Sequence, residues 1–148
     1  MIGLVIYAPI VLAVLIGIAL AAGTAALAEG AGHHGDPAAG EAVYERCAGC
    51  HSLAHDRAGP RHCGLLGRRA GSVKDFTYSD AMKQSRIVWT EKSLDRFLAA
   101  PLEAVPGTSM GYSGIADPKE RSDLIAYLKQ ADGSPPCAGK AIDGREAS

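Results

Sequence analysis

Cys47-Ala48-Gly49-Cys50-His51 carries the sharpest chemistry in this 148-residue chain. Two thiols at i and i+3 face the same way on a turn of helix, and an imidazole follows at once. One planar ligand can then be held in three places. Both thiols can add across the vinyl groups of a haem, and the ring nitrogen can reach the iron. C-x-x-C-H is the attachment pattern of c-type haem. Two other uses of the residues compete. A thioredoxin-like dithiol expects a βαβ setting, and no strand pattern flanks the motif. A zinc site built from Cys47, Cys50, Cys63 and Cys137 would need its second pair close together, whereas Cys63 and Cys137 lie far apart in the chain.

A haem iron needs a sixth ligand unless it is an open catalytic site. Besides His51 the candidates are Met82, Met110 and the other histidines. Met110 sits in Pro106-Gly107-Thr108-Ser109-Met110-Gly111-Tyr112, a stretch without helical or strand period, bounded by Pro101 and Pro118. Packing of a helix face, the usual reason for a Met, does not explain it. Met82 follows Ser79 and Asp80, either of which can cap a short helix, so packing does explain Met82. Met110 is therefore the expected ligand. A thioether with an imidazole raises the reduction potential relative to two imidazoles and closes the iron to small molecules. Cys63 and Cys137 remain, and outside the cytoplasm two spare thiols are expected to pair.

The elements that must position these groups lie in one part of the chain. Residues 1–28 contain no Asp, Glu, Lys, Arg or His. Residues 2–20 would span about 28 Å as a helix, close to the thickness of a bilayer core. Ala26-Leu27-Ala28 fits a signal-peptide cleavage site, while the length of the apolar run and the lack of a preceding base fit a retained anchor. Either reading sends the following domain across a membrane, to the periplasm or an extracytoplasmic face. Residues 29–36, with His33 and His34, read as linker, residues 37–132 as the domain, and residues 133–148 as a tail.

The composition, 47% hydrophobic and 21% charged with a formal net charge of -1, excludes a disordered acidic chain and gives no case for nucleic-acid binding. Bases concentrate in residues 46–96. They could form a docking face, neutralise a bound anion, or make a solvated surface of mixed sign. Helices are expected near 38–50, 79–85, 90–99 and 117–131. Thr90 can cap the third, and Pro101 limits its end. Asp117, Pro118 and Glu120 make a capping-box start for the last, whose Leu124, Tyr127 and Leu128 recur on one face.

Over residues 35–132 the ordered set of motifs resembles class I cytochrome c, the mitochondrial-like and bacterial branch. The resemblance implies an all-α fold of three to four helices around one covalent haem c held by Cys47 and Cys50. The first and last helices would cross, and long loops would cover the haem. It implies that the carbonyl of Pro60 accepts the ring N–H of His51, and that Arg68, Tyr78, Trp89 and Thr108 serve the propionates. Some positions depart from the family. Phe97 stands where a Tyr hydroxyl often approaches the Met sulfur. Leu102, Glu103 and Ser109 replace lysines of the mitochondrial type, and the segment from His51 to Pro60 is short.

The function this implies is one-electron transfer between redox protein partners by a monomeric carrier, with His51 and Met110 on the iron and a tether through residues 2–20 if the leader is kept. Two other readings stay open. One is a small haem peroxidase using His55 or His62 as acid–base group, although both fall on the His51 side of the sequence. The other is an electron-transfer subunit fixed in a larger complex.

Overall fold

The computed structural model describes residues 34–138. The leader and its possible anchor or cleavage site, with His33 of the linker, lie outside the described residues, as does the tail beyond residue 138. Among the described residues no helix is long and apolar enough to cross a membrane.

Among the described residues, five α-helices carry the fold: α1 (Pro37–Ala48), α2 (Asp80–Gln84), α3 (Glu91–Ala99), α4 (Pro101–Ala104) and α5 (Pro118–Ala131). A short 3-10 turn follows at Pro135–Cys137. The described residues contain no strand, only an isolated antiparallel bridge between Arg69 and Val88.

α1 starts where Asp36 accepts a hydrogen bond from the Ala38 amide at 2.9 Å, with Pro37 in the first position. There the missing N–H costs nothing. α5 starts the same way, with Asp117 accepting from the Lys119 amide at 2.8 Å and Pro118 next. The capping box expected at Glu120 does not form. The Glu120 carboxylate instead accepts from the Arg46 guanidinium on α1 at 2.7 Å, because the crossing brings a base within its reach.

That crossing is the organising contact. Val43 and Tyr44 of α1 are buried, as are Leu124, Ile125 and Leu128 of α5, with Leu124 only 1% exposed. Gly40 sits at the closest approach. A Cβ there would collide with the Asp123 backbone, so any side chain would push the helices apart. Asp123, buried, ties both helix starts. It accepts from the Asp36 amide at 2.7 Å and from the Lys119 ammonium at 2.7 Å. Tyr127 packs its ring 5.2 Å from that of Tyr44.

The middle helices keep their expected caps. Ser79 accepts from the Met82 amide at 3.3 Å, and Met82 is buried in the core. Thr90 and Ser93 cap each other reciprocally at the start of α3. α3 then buries Leu94, Phe97 and Leu98. Pro101 limits α3 as expected and also opens α4, since its fixed φ suits a first helical turn.

Candidate functional site: a haem cavity

α1 ends in the motif. The amides of Cys50 and His51 both donate to the Cys47 carbonyl, at 3.0 and 2.9 Å, so the last helical turn folds both thiols and the imidazole toward one region. Cys47 is half-buried and Cys50 exposed, and both are free thiols. Burial raises the pKa of Cys47, opposed by the nearby Arg46 charge.

His51 is held by the turn that follows. Its Nδ1 donates to the Pro60 carbonyl at 2.8 Å, which fixes the tautomer and leaves Nε2 for another partner. Burial lowers the pKa of His51, and the Pro60 bond opposes that shift. Gly59 makes the approach possible, since a Cβ there would strike the imidazole ring. The turn is pinned in its own right by the Gly59 amide, which donates to the Cys50 carbonyl at 2.7 Å.

Arg68, Tyr78, Trp89 and Thr108 gather around the same space. The Arg68 guanidinium, 3% exposed as a residue, donates to the Cys63 carbonyl at 2.9 Å and the Arg61 carbonyl at 2.8 Å. Both acceptors are neutral, and burial lowers the Arg68 pKa. Burial raises the pKa of Tyr78, opposed by Arg68 and by a backbone hydrogen bond at Val73. The Trp89 amide donates to the Arg68 carbonyl at 2.9 Å, which sets Trp89 beside Arg68 despite their distance in sequence. Its ring lies 5.1 Å from that of Phe97.

Met110 arrives on the loop between α4 and α5. Its amide donates to Thr108 Oγ1 at 3.2 Å, a local turn that places both side chains together. Met110, Thr108, His51, Cys47, Cys50 and Pro60 all line one cavity of about 470 Å³, which Arg68, Tyr78 and Trp89 also border. Met82 reaches the cavity as well, from α2.

Cys63 and Cys137 stand apart from the cavity and are joined in a disulfide, with Cα atoms 5.3 Å apart and a sequence separation of 74. The zinc alternative therefore loses two of its four thiolates. Among the described residues no group of three or more His, Cys, Asp and Glu could hold a metal ion.

His62, an acid–base candidate in the sequence, turns out to be a direct neighbour of His51. The ring of His62 is stacked on that of His51, centroids 4.3 Å apart and planes 21° from parallel. Its Nδ1 lies 3.2 Å from the Tyr44 hydroxyl. Burial, with the His51 and Arg68 charges, pushes the His62 pKa well down. Nothing in the local sequence, a histidine between Arg61 and Cys63, marks the contact with His51. His55, the other acid–base candidate, is exposed.

A haem fits this lining. The volume lies within the about 300–1,000 Å³ of ordinary cofactor sites, and the walls are largely apolar side chains. Two thiols, an imidazole with its outer nitrogen occupied and a thioether supply the donor set. A buried guanidinium bonded only to neutral carbonyls suits an anionic edge.

Helices wrapped on a cavity with adjacent thiols, imidazole and thioether define a c-type cytochrome of the class I fold. Residues 37–132 match the family described as Cytochrome c, and the chain belongs to that family. It is 45% identical over 104 residues to cytochrome c2 of Blastochloris viridis, covering 67% of this chain and 82% of the relative. It is 40% identical over 101 residues to cytochrome c of Ginkgo biloba, covering 66% of this chain and 89% of the relative. Among solved structures, cytochrome cH from Methylobacterium extorquens aligns with a TM-score of 0.64 and 42% identity, over 65% of this chain and 99% of that one. The protein is thus a one-electron carrier with haem c attached covalently through Cys47 and Cys50.

Proposed function

We propose that this chain carries single electrons between redox proteins on the outer side of the cytoplasmic membrane, and that His51 and Met110 would be the residues that hold the haem iron. Haem c, when attached, supplies the one-electron iron couple. The chain supplies everything else. Cys47 and Cys50 anchor the group, and the Pro60 carbonyl holds the N–H of His51 so that its free nitrogen faces inward. Met110 would supply the second protein ligand to the iron, which would leave no open site for a substrate. Arg68, Tyr78, Trp89 and Thr108, which border the cavity, would receive the propionates. Trp89, Phe97, Leu98 and Leu124 keep water from the interior, which limits the reorganisation accompanying each change of charge.

The observation that carries the axial assignment is the shared cavity of His51 and Met110, with Met110 on a loop instead of a helix face. The exposed Cys50 supports exit of the electron at the haem edge nearest the motif. Likeness to a cytochrome c2 supports the electron-carrier reading. The leader and the disulfide both fit a compartment outside the cytoplasm. Residues 29–36 serve as linker, and Cys137 ties the first part of the tail to Cys63.

Absorption spectra of the oxidised holoprotein test the ligand set. A thioether on ferric haem gives a weak far-red band. Met110→Ala should lose it and lower the reduction potential. Met82→Ala should keep it while losing about 2–5 kcal/mol of stability, the cost of emptying a buried Met site. A band retained in Met110→Ala overturns the assignment.

A further inference from the structure

We infer that His62 is a positioning residue for the axial imidazole, its flat face fixing the plane of the His51 ring. The inference rests on the reading of His51 as iron ligand. The Nδ1 bond to Pro60 restrains one atom of that ring. A single hydrogen bond leaves the ring free to turn about the bond's own axis. The near-parallel His62 ring, at 4.3 Å between centroids, removes that freedom, because turning His51 would drive its edge into the face of His62.

His62 is itself well held. Its amide donates to the carbonyls of Ser52 and Leu53, at 3.0 and 3.1 Å. Its Nδ1 meets the Tyr44 hydroxyl at 3.2 Å, and the Tyr44 ring packs against it edge-on. The next residue, Cys63, is bonded to Cys137, and the Gly64 amide donates to Asp132 at 2.6 Å. Three separate parts of the chain therefore fix this segment: α1 through Tyr44 on the His62 ring, and the end of α5 and the tail through Asp132 and Cys137 on the two residues that follow.

The residue type matters. An aliphatic side chain could fill the volume, but it would offer neither a flat face to His51 nor a ring nitrogen to Tyr44. Groups around a ligating histidine set its orientation and tune the metal. In a ferric haem protein the plane of the axial imidazole governs how unpaired spin spreads over the porphyrin. The haem-methyl proton resonances read this directly.

The test uses full-length holoprotein. In His62→Leu the haem-methyl resonances should change order or spread and the reduction potential should shift, with the far-red band retained. His62→Phe, which keeps a flat face but loses the bond to Tyr44, should move the methyl pattern less than His62→Leu. Tyr44→Phe, which frees the outer edge of His62, should move the pattern in the same direction as His62→Leu and by less. A His62→Leu pattern superimposable on that of the parent overturns the inference, whatever its stability. Equal changes in His62→Leu and His62→Phe do the same. If His62→Leu yields no coloured protein, Tyr44→Phe decides, and an unmoved pattern there overturns it. Failure of the axial reading is distinct, because the unaltered protein would then lack the far-red band.

Discussion

The two segments that border the cavity are held in different ways. Residues 47–68, which bring His51, are tied to distant parts of the chain. The Cys63–Cys137 disulfide and the Gly64–Asp132 bond reach the C-terminal region, and His62 reaches Tyr44. The loop that brings Met110 is fastened mainly at its ends. The Ile115 amide donates to the Leu98 carbonyl at 2.8 Å, and Arg121 holds the carbonyls of Ile115 and Ala116. Nearer Met110 the bonds are local: Thr108 to Val105, and Met110 to Thr108. Such short-range bonds shape a turn without fixing it to the body of the fold. The chain itself sets the imidazole side, and the thioether side is the one that can yield.

The strongest way to break this contrast is Gly59→Ala. Its Cβ would run into the His51 ring, with the Pro60 bond beside it. We expect upwards of about 3 kcal/mol of destabilisation and little coloured protein, measured by haem stain and denaturant unfolding. Replacing both Cys63 and Cys137 with Ala should cost about 2–4 kcal/mol. The far-red band should persist, since the bridge lies on the other segment. On the Met110 side, Gly107 has φ of 89°, and a Cβ there would sit 3.2 Å from that of Ala81. Gly107→Ala should cost about 1–2 kcal/mol from the left-handed backbone, and should weaken the far-red band at lower temperature than in the parent.

The smallest effect concerns pH. Burial, followed by the neighbouring Cys47 and Tyr127 charges, raises the Tyr44 pKa from 10.0 to about 12. The neutral phenol is favoured more in the folded state than in the unfolded one. Its contribution is therefore complete below about 10 and is lost as pH climbs toward about 12. Denaturation midpoints across that interval should fall less steeply in Tyr44→Phe than in the parent. Equal slopes would remove Tyr44 from the account.

The legible parts of the molecule were those written in local spacing. Asp117-Pro118 announced α5, Thr90 announced α3, and the motif announced the haem anchor. Two unpaired cysteines announced a bridge. Residues that depend on the tertiary meeting of segments were not legible. Glu120 has the spacing of a capping box, yet the crossing of α1 over α5 offers it Arg46 instead. Pro101 reads as a stop, but its fixed φ also starts α4. The role of His62 depends on the turn through residues 52–62, which folds it onto a ring eleven positions earlier. The basic excess of residues 46–96 is divided in the same way. Arg68 is buried at the cavity, while Arg46, Arg61 and Lys83 pair with acids.

Four thiols in one polypeptide can be joined in three ways, and this protein keeps a single bridge while Cys47 and Cys50 stay unjoined. The oxidation that welcomes the first pair would ruin the second, because a thiol already spent on sulfur cannot add to a vinyl group. Manufacture is thus a question of timing. A host that oxidises too early delivers a pale product with scrambled sulfurs, and one that never oxidises delivers a red protein with its tail adrift.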